Sequence, residues 1–526
     1  MTNAVRSRRA ALLVFAAAVV LSGWRFYRLR NYFDFCDESA ETTTAWLVSN
    51  GETLYGSVFS HHMPLGVIVS HFVASVSPTD HPAHFRAAPW AAYVLIALTI
   101  AFGPCGRRRP AAGAFAGAAF LAVASLLAPL LWAQLVLNDV FWGVAFAMFL
   151  VLLPLPLLFG EAPRPIDAVV AGAAALISLA GSPLAAVPLA LGVAVSVLLT
   201  SRESLLNRAA AFVAGAGAAA ACVVAWLLRF ADLAGFREEF LRFNRLFYSR
   251  FLGNASSPAG MARLSAVEWG EYLSHAIRDA SAGSIQALLL PLILVVIMLL
   301  VFAGFRRRGL ARTPWQAPAL ASLLSLMFFS LRIVRGGDFR AIPLHIAIFA
   351  AAAVLPWAGS FPRPRLVAAI LVLVLIPAIW AAVQHESFQF HEDSRLAADG
   401  AWLLAARYIE AHTKPDERIA SFPVNPGVYL EARRRPATDS VFYLPWQAAW
   451  EAATPGRPST CAQLRAHPPS FVTLQDEAIW GAYPWKDYAS CIDAFLKSDY
   501  ELVDGPEFGG LLLRRRNANQ NATRIR

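Results

Sequence analysis

Two pairs of side chains in one polar stretch carry most of the chemistry that this sequence offers. Within NYFDFCDESAETTTAWLVSNGETLYGSVFSHHMPL (residues 31–65), Asp37-Glu38 is followed by His61-His62 and then by Met63-Pro64-Leu65. A carboxylate in a partly apolar cleft keeps a pKa suited to taking a proton from an acceptor hydroxyl. Aromatic residues Tyr32, Phe33, Phe35, Trp46 and Tyr55 bracket the acidic pair, so Asp37 is the candidate general base, with Glu38 beside it. Solvated loop surface is the plain alternative. The histidines are candidates to meet an anion, their plain alternative being interface residues. A zinc site from His61, His62 and Asp37 is not expected, since adjacent histidines point apart on most backbones and the usual ligand spacing is absent.

These groups need a setting. The 526 residues are 57% hydrophobic and 15% charged, with a mean hydropathy of +0.50, which describes an integral membrane protein. Charged residues set against a membrane are costly and are by default functional. The net charge of +10 comes from arginines in short runs between apolar segments, the pattern of cytoplasmic loops under the positive-inside rule. No basic-aromatic module accompanies that charge, which excludes a nucleic-acid binder. The only lysines are Lys414, Lys486 and Lys497, so an anion held at the membrane must rely on Arg, His or backbone donors. Five cysteines with no CxxC or Cys/His spacing indicate neither a disulfide scaffold nor zinc. Cys461 and Cys491 both fall in the tail, where an oxidising compartment permits a disulfide.

The apolar segments alternate with polar turns in a consistent order. Residues 10–24 form a first membrane helix preceded by Arg6, Arg8 and Arg9, so the acidic stretch lies outside. Residues 64–76 are too short for a full crossing of ~20 residues and are read as a helix at or dipping into the outer face. Residues 86–102 return to Arg107-Arg108-Arg109, residues 111–131 run out to the Asn138-Asp139 turn, and residues 140–158 return to Arg164. A hairpin of residues 168–180 and 184–199 follows, then residues 209–228 run out to a long external loop, 229–284. Residues 285–305, 314–334, 341–357 and 366–383 complete about eleven spans, with the turn RGGDFR outside. All the Arg-rich short loops then share one side. Asp139 ends an otherwise uncharged segment, which points it toward a cavity. Arg335 and Arg340 have a plain reading as snorkelling anchors.

In the external loop, Phe236, Phe240, Phe243, Phe247 and Phe251 fall at helical spacing, as expected of an amphipathic helix lying on the outer leaflet. After residue 384 the composition becomes polar. A helical pattern at 397–412 and strand-like runs at 418–422, 471–474 and 510–513 indicate a small α/β domain over 384–513, followed by a basic tail, 514–526.

The order of features resembles the GT-C superfamily of membrane glycosyltransferases. The matching residues are the first helix, Asp37-Glu38 in the first external loop, Gly51-Glu52-Thr53-Leu54-Tyr55, Pro64-Leu65, Arg86, Asn138-Asp139 and the external tail. The chain is most similar in layout to the branch of protein O-mannosyltransferases and the lipid A aminoarabinose transferase, of the glycosyltransferase family 39 type. The resemblance covers the whole chain in layout and about fifty residues in motif. It implies an all-α, polytopic, GT-C-like membrane domain (1–383, external loops 30–63 and 229–284) with a small extracytoplasmic α/β domain. It also implies a polyprenyl-phosphate-linked sugar as donor, an acceptor that is a lipid, a polysaccharide or a protein, and inversion at the sugar C1. No cofactor is implied, a divalent cation being allowed but not required. Where the aminoarabinose branch has a Lys before Pro-Pro, this chain has His61-His62-Met63-Pro64. The ligand of the leaving phosphate is therefore left open among His61, His62, Arg86, Arg332, Arg335 and Arg340, while Tyr55, Asn138 and Asp139 line the substrate site.

The expectation is thus a multi-pass glycosyltransferase of a bacterial inner membrane, with its N-terminus cytoplasmic and its C-terminal domain periplasmic. Its rivals are a flippase for lipid-linked sugars, which would carry mid-helix charges and inverted-repeat hydropathy, and a non-catalytic subunit of an envelope polysaccharide system.

Overall fold

The computed structural model describes residues 3–28, 36–77, 82–132, 138–251, 263, 266–267, 269–271, 274, 285–308, 316–331, 342–355, 392–454, 456–475, 478–479, 481–508 and 511–516. Among the described residues, twelve helices fill the first part: α1 (Asn3–Arg28), α2 (Cys36–Ser49), α3 (Leu65–Val76), α4 (Pro82–Phe85), α5 (Ala87–Phe102), α6 (Pro104–Arg108), α7 (Pro110–Trp132), α8 (Asn138–Leu152), α9 (Pro154–Phe159), α10 (Pro165–Gly181), α11 (Ala186–Leu199) and α12 (Arg202–Phe230). Further apolar helices follow at Ile285–Arg308, Gln316–Phe329 and Ile342–Val354. Among the described residues, four stretches are long and apolar enough to cross a membrane: Arg6–Tyr27, Ala87–Arg108, Asn138–Phe159 and Glu203–Phe230. Two of the other apolar helices open on proline, at Pro110 and Pro165, while Pro291 lies inside the helix Ile285–Arg308. Proline lacks the backbone donor and suits a helix start rather than its interior. The expected span at 366–383 lies outside the described residues.

Small residues set the helix spacing. A side chain at Gly172 on α10 would collide with the Phe212 carbonyl of α12, and one at Gly215 would collide with the Val169 carbonyl, so the two backbones meet directly. The same helices separate charge by end. Arg107 makes two bonds to Asp167, 2.9 and 2.5 Å, and Arg108 reaches Glu161 at 2.7 Å. The opposite ends of α5, α8 and α10 carry Arg86, Asn138 and Gly181, which face the acidic stretch. Over 22 residues that separation is ~32 Å.

The acidic stretch itself is not a loop. From Cys36 it is helix α2, with Asp37 and Glu38 in the first turn, where the partial positive charge of the helix terminus favours carboxylates. Three consecutive threonines give the segment low intrinsic helicity, and packing overrides it: every residue from Glu38 to Val48 is buried. The helix stops at Gly51, whose φ of 93° is the left-handed conformation that terminates helices.

The C-terminal part holds a small sheet packed with helices. Strands β1 (Ala420–Phe422), β2 (Phe471–Leu474), β3 (Tyr500–Leu502) and β4 (Leu512–Arg515) make a sheet of order β1-β2-β4-β3. The β1-β2 pair is parallel and the others are antiparallel. Sequence reading misses β3, a three-residue strand with one buried side chain, and starts β4 two residues early. Phe422, Val472, Trp485, Ile492, Phe495 and Tyr500 pack one core. Cys461 and Cys491 are disulfide-bonded, Cα–Cα 6.2 Å, joining helices Thr460–Ala466 and Ser490–Asp499.

This unit is fastened onto the polar stretch. Thr43 Oγ1 donates to the Pro426 carbonyl (3.0 Å), Phe59 N donates to the Asp439 carbonyl (2.6 Å), and Arg435 reaches Glu52 (3.1 Å) and the Asn50 carbonyl (2.7 Å). Arg457 bridges Glu239 and Asp439, both at 2.7 Å, and lies 4.4 Å from the Trp450 ring centroid. Glu239 is fully buried and also accepts from Ser60 N at 3.1 Å. It belongs to the π-helical piece Phe236–Arg242, which a second piece, Asn244–Tyr248, follows. The phenylalanines of residues 236–251 face the protein, which corrects the expectation that their face lies on the leaflet: Phe236 packs on Tyr55, Phe243 on Phe59 and Trp450, and Phe251 on Trp446.

Two outcomes follow. The disulfide closes a loop of 30 residues, so reduction or Cys491→Ser costs about 3 kcal/mol, read as a lower urea midpoint for the full chain in detergent; an unchanged midpoint contradicts its contribution. Burial pushes the Glu239 carboxyl up to about 8 against the pull of Arg457. The folded chain therefore keeps a proton that the unfolded chain releases, and this group's contribution falls as pH rises from 4.5 to about 8. Arg457→Gln leaves the carboxyl without its cation, so its cost is greater at pH 9 than at pH 5, where Glu239 is protonated, by about 1 kcal/mol. A cost independent of pH contradicts the pairing.

Candidate active site

The first turn of α2 gathers the polar groups. Glu38 and Arg86, each almost fully buried, form an ion pair of 2.8 Å that ties α2 to the start of α5. Asp37, the neighbour of Glu38, is half-buried, with its Oδ1 3.7 Å from Cys36 Sγ. One helical turn later comes Glu41, which sequence reading passes over. It is four residues from Asp37 and three from Glu38, the spacings that share a helix face, so the helical period of α2 is the signal that would have found it.

Glu41 is fully enclosed at the meeting point of α2, α3 and α8. Its Oε1 accepts from the Asn138 backbone N–H at 3.2 Å, the first residue of α8. Its Oε2 is buried with no hydrogen-bond partner among the described residues. Gly66 lets the Glu41 carboxyl lie against the α3 backbone, where a Cβ would force that carboxyl to move. Burial, with Asp139, Asp37 and Glu38 adding like charge, holds this carboxyl well above the usual range. Asn138 joins the same corner: its Oδ1 accepts from Gly66 N at 3.1 Å and its side-chain amide donates to the Gly181 carbonyl. Asp139 accepts from Trp142 Nε1 at 2.6 Å. The structure thus brings Asp37, Glu38, Arg86, Asn138 and Asp139 to one corner, with Glu41 among them.

Tyr55, His61 and His62 form a second group. Tyr55 adopts a φ of 61° and its hydroxyl donates to the His62 carbonyl at 2.6 Å. Burial raises its phenol well above the ordinary value, Glu239 adding to the rise. The His61 ring centroid is 4.2 Å from that of His62, 5.1 Å from Tyr248, 5.6 Å from Phe243 and 5.8 Å from Phe442. The Asn244 amide donates to the His61 carbonyl at 2.7 Å. The chain from His62 to Gly66 connects this group to the acidic corner. Arg332, Arg335 and Arg340 lie outside the described residues.

Chemically, the corner offers two half-buried carboxylates, Asp37 and Asp139, beside a carboxyl whose burial favours the protonated form, Glu41, and an internally neutralised pair, Glu38–Arg86. Environments that push neighbouring carboxyls apart are how acid and base roles are divided. Among the described residues, no group of three or more His, Cys, Asp or Glu is arranged to hold a metal ion.

No family model matches the chain, and no curated protein does. Among solved structures it is similar to an oligosaccharyltransferase of Archaeoglobus fulgidus, in complex with zinc and sulfate. The identity is 13%, 89% of this chain and 67% of that chain are covered, and the TM-score is 0.36. A likeness of that size carries no argument about activity.

Proposed function

We propose that the chain is a GT-C-type integral membrane glycosyltransferase that moves a sugar from a polyprenyl-phosphate carrier to an acceptor hydroxyl at the extracytoplasmic face of a bacterial inner membrane. The observation that carries this reading is the first turn of α2, where Asp37 is half-buried and its neighbour Glu38 is fixed by Arg86. In this mechanism Asp37 accepts the proton of the acceptor hydroxyl while that oxygen attacks the sugar C1. The new C1–O bond forms as the bond from C1 to the carrier phosphate breaks, with inversion at C1, and the carrier leaves as its phosphate. Glu38 and Arg86 act by positioning the turn.

The leaving phosphate gathers negative charge and needs cations or N–H donors in place beforehand. Arg86 lies against Glu38, which makes it the less suitable candidate of the original set. His61 and His62, next to the acidic corner along the chain, and the arginines Arg332, Arg335 and Arg340 are the proposed phosphate ligands. Asn138 and Asp139 are proposed to border the acceptor. The reaction as written needs no metal ion.

The test is sugar transfer by the purified, reconstituted chain offered a panel of polyprenyl-phosphate sugars, with release of carrier phosphate as the readout. The wild-type chain is expected to consume one donor, and Asp37→Asn to lose ~10²-fold or more, the size of a general-base contribution. An Asp37→Asn chain as active as wild type removes the assignment of the base. A wild-type chain that consumes no donor but moves a labelled lipid-linked sugar across the bilayer overturns the enzyme reading in favour of a flippase.

A further inference from the structure

The segment that follows α12 has two unlike faces. Its inner face, Glu239, Phe243 and Phe247, is buried against the polar stretch and the C-terminal unit. Its outer face exposes Arg237, Leu241, Arg242, Arg245, Leu246 and Arg250. We propose that this outer face docks on the headgroups of anionic phospholipid at the membrane surface.

Continuity argues for the bilayer as occupant. Along the membrane-length helix α12, Leu206, Val213, Val224 and Leu228 are exposed, and the line of exposed apolar side chains continues into Leu233, Leu241 and Leu246. Between them Ala231 and Asp232 are extended, so the chain leaves the α12 axis, and the Asp232 carboxylate caps the next helical start by accepting from Ala234 N at 2.9 Å. Backbone bonds between Leu54 and both Phe230 (3.0 Å) and Asp232 (2.9 Å) fix this bend. The outer face therefore begins where a membrane helix ends. Leucines there reach the hydrocarbon border while arginine stems carry their guanidinium groups to phosphate level.

Charge selects anionic lipid. In the stretch 229–250 five arginines, Arg229, Arg237, Arg242, Arg245 and Arg250, stand against three acids, of which Glu239 is buried on Arg457 and Glu238 is engaged by Arg242 at 2.8 Å, leaving Asp232. Arg250 rests 5.7 Å from the Phe247 ring centroid. Guanidinium forks match phosphate oxygens. A second copy of this chain fits the face poorly, since it would set arginines against arginines. The inner face is fastened by the Glu239–Arg457 bond, so docking needs little reordering of the segment.

Hydrogen–deuterium exchange of residues 233–250, with the full chain in nanodiscs, tests this without reference to sugar transfer. Exchange is expected to be slower in phosphatidylglycerol than in phosphatidylcholine. That difference is expected to vanish in the variant Arg237→Gln/Arg245→Gln/Arg250→Gln and to weaken about fivefold per arginine, as the single Arg245→Gln would show even if the triple variant folds poorly. Equal exchange in the two lipids overturns the proposal, as does a difference that survives the triple variant. Slowing that appears only when polyprenyl phosphate is added to phosphatidylcholine discs also overturns it, and assigns the face to the carrier lipid.

Discussion

The buried ion pair of Glu38 and Arg86 is the constraint on which the rest of the polar corner depends. Removing two charges from water is costly, and the pair holds only because its geometry is good, 2.8 Å with both side chains almost fully buried. Its placement has consequences in both directions along the chain. Toward α5, it sets the end of a membrane-length helix against the acidic turn. Toward α2, it fixes the rotation of a helix whose own sequence, with three threonines in a row, is weakly helical. With that rotation fixed, Asp37 comes to a half-buried position and Glu41 to the junction with α3 and α8.

Above this corner sits a second layer of constraint. The C-terminal unit fastens to the polar stretch through Thr43, Phe59 and Glu52, and through Arg457, which ties Glu239 and Asp439 together over the Trp450 ring. The aromatic cluster around His61 is built from three separate parts of the sequence: Phe59, Phe243 and Phe442. Phe243 and Phe442, far from His61 in the sequence, therefore complete surroundings that Phe59 and His62 begin locally.

Those parts mark the limit of what the sequence discloses. Asp37, Glu38 and Arg86 are legible because charge is rare here and stands out against long apolar runs. Asn138 and Asp139 are legible because they end such a run. The strand at Phe471–Leu474 and the helix ending at His412 are legible from period and composition. Glu41 is not, because its meaning depends on α2 being a helix, and α2 is helical through packing rather than propensity. The phenylalanines at 236–251 have the right period, but period alone does not say whether an apolar face meets lipid or protein. Glu239 and Arg457 are 218 residues apart, and no local pattern announces that they meet.

A double-mutant cycle on Glu38→Gln and Arg86→Gln, followed by urea unfolding of the full chain in detergent, probes the organising pair most directly. Each single change leaves a buried charge without its partner and is expected to cost about 3–5 kcal/mol. The double change is expected to cost less than the sum of the two, with a coupling energy of about 2 kcal/mol or more. Losses that simply add, with coupling under about 0.5 kcal/mol, would contradict the account, because α2 would then be held in place by something other than this pair.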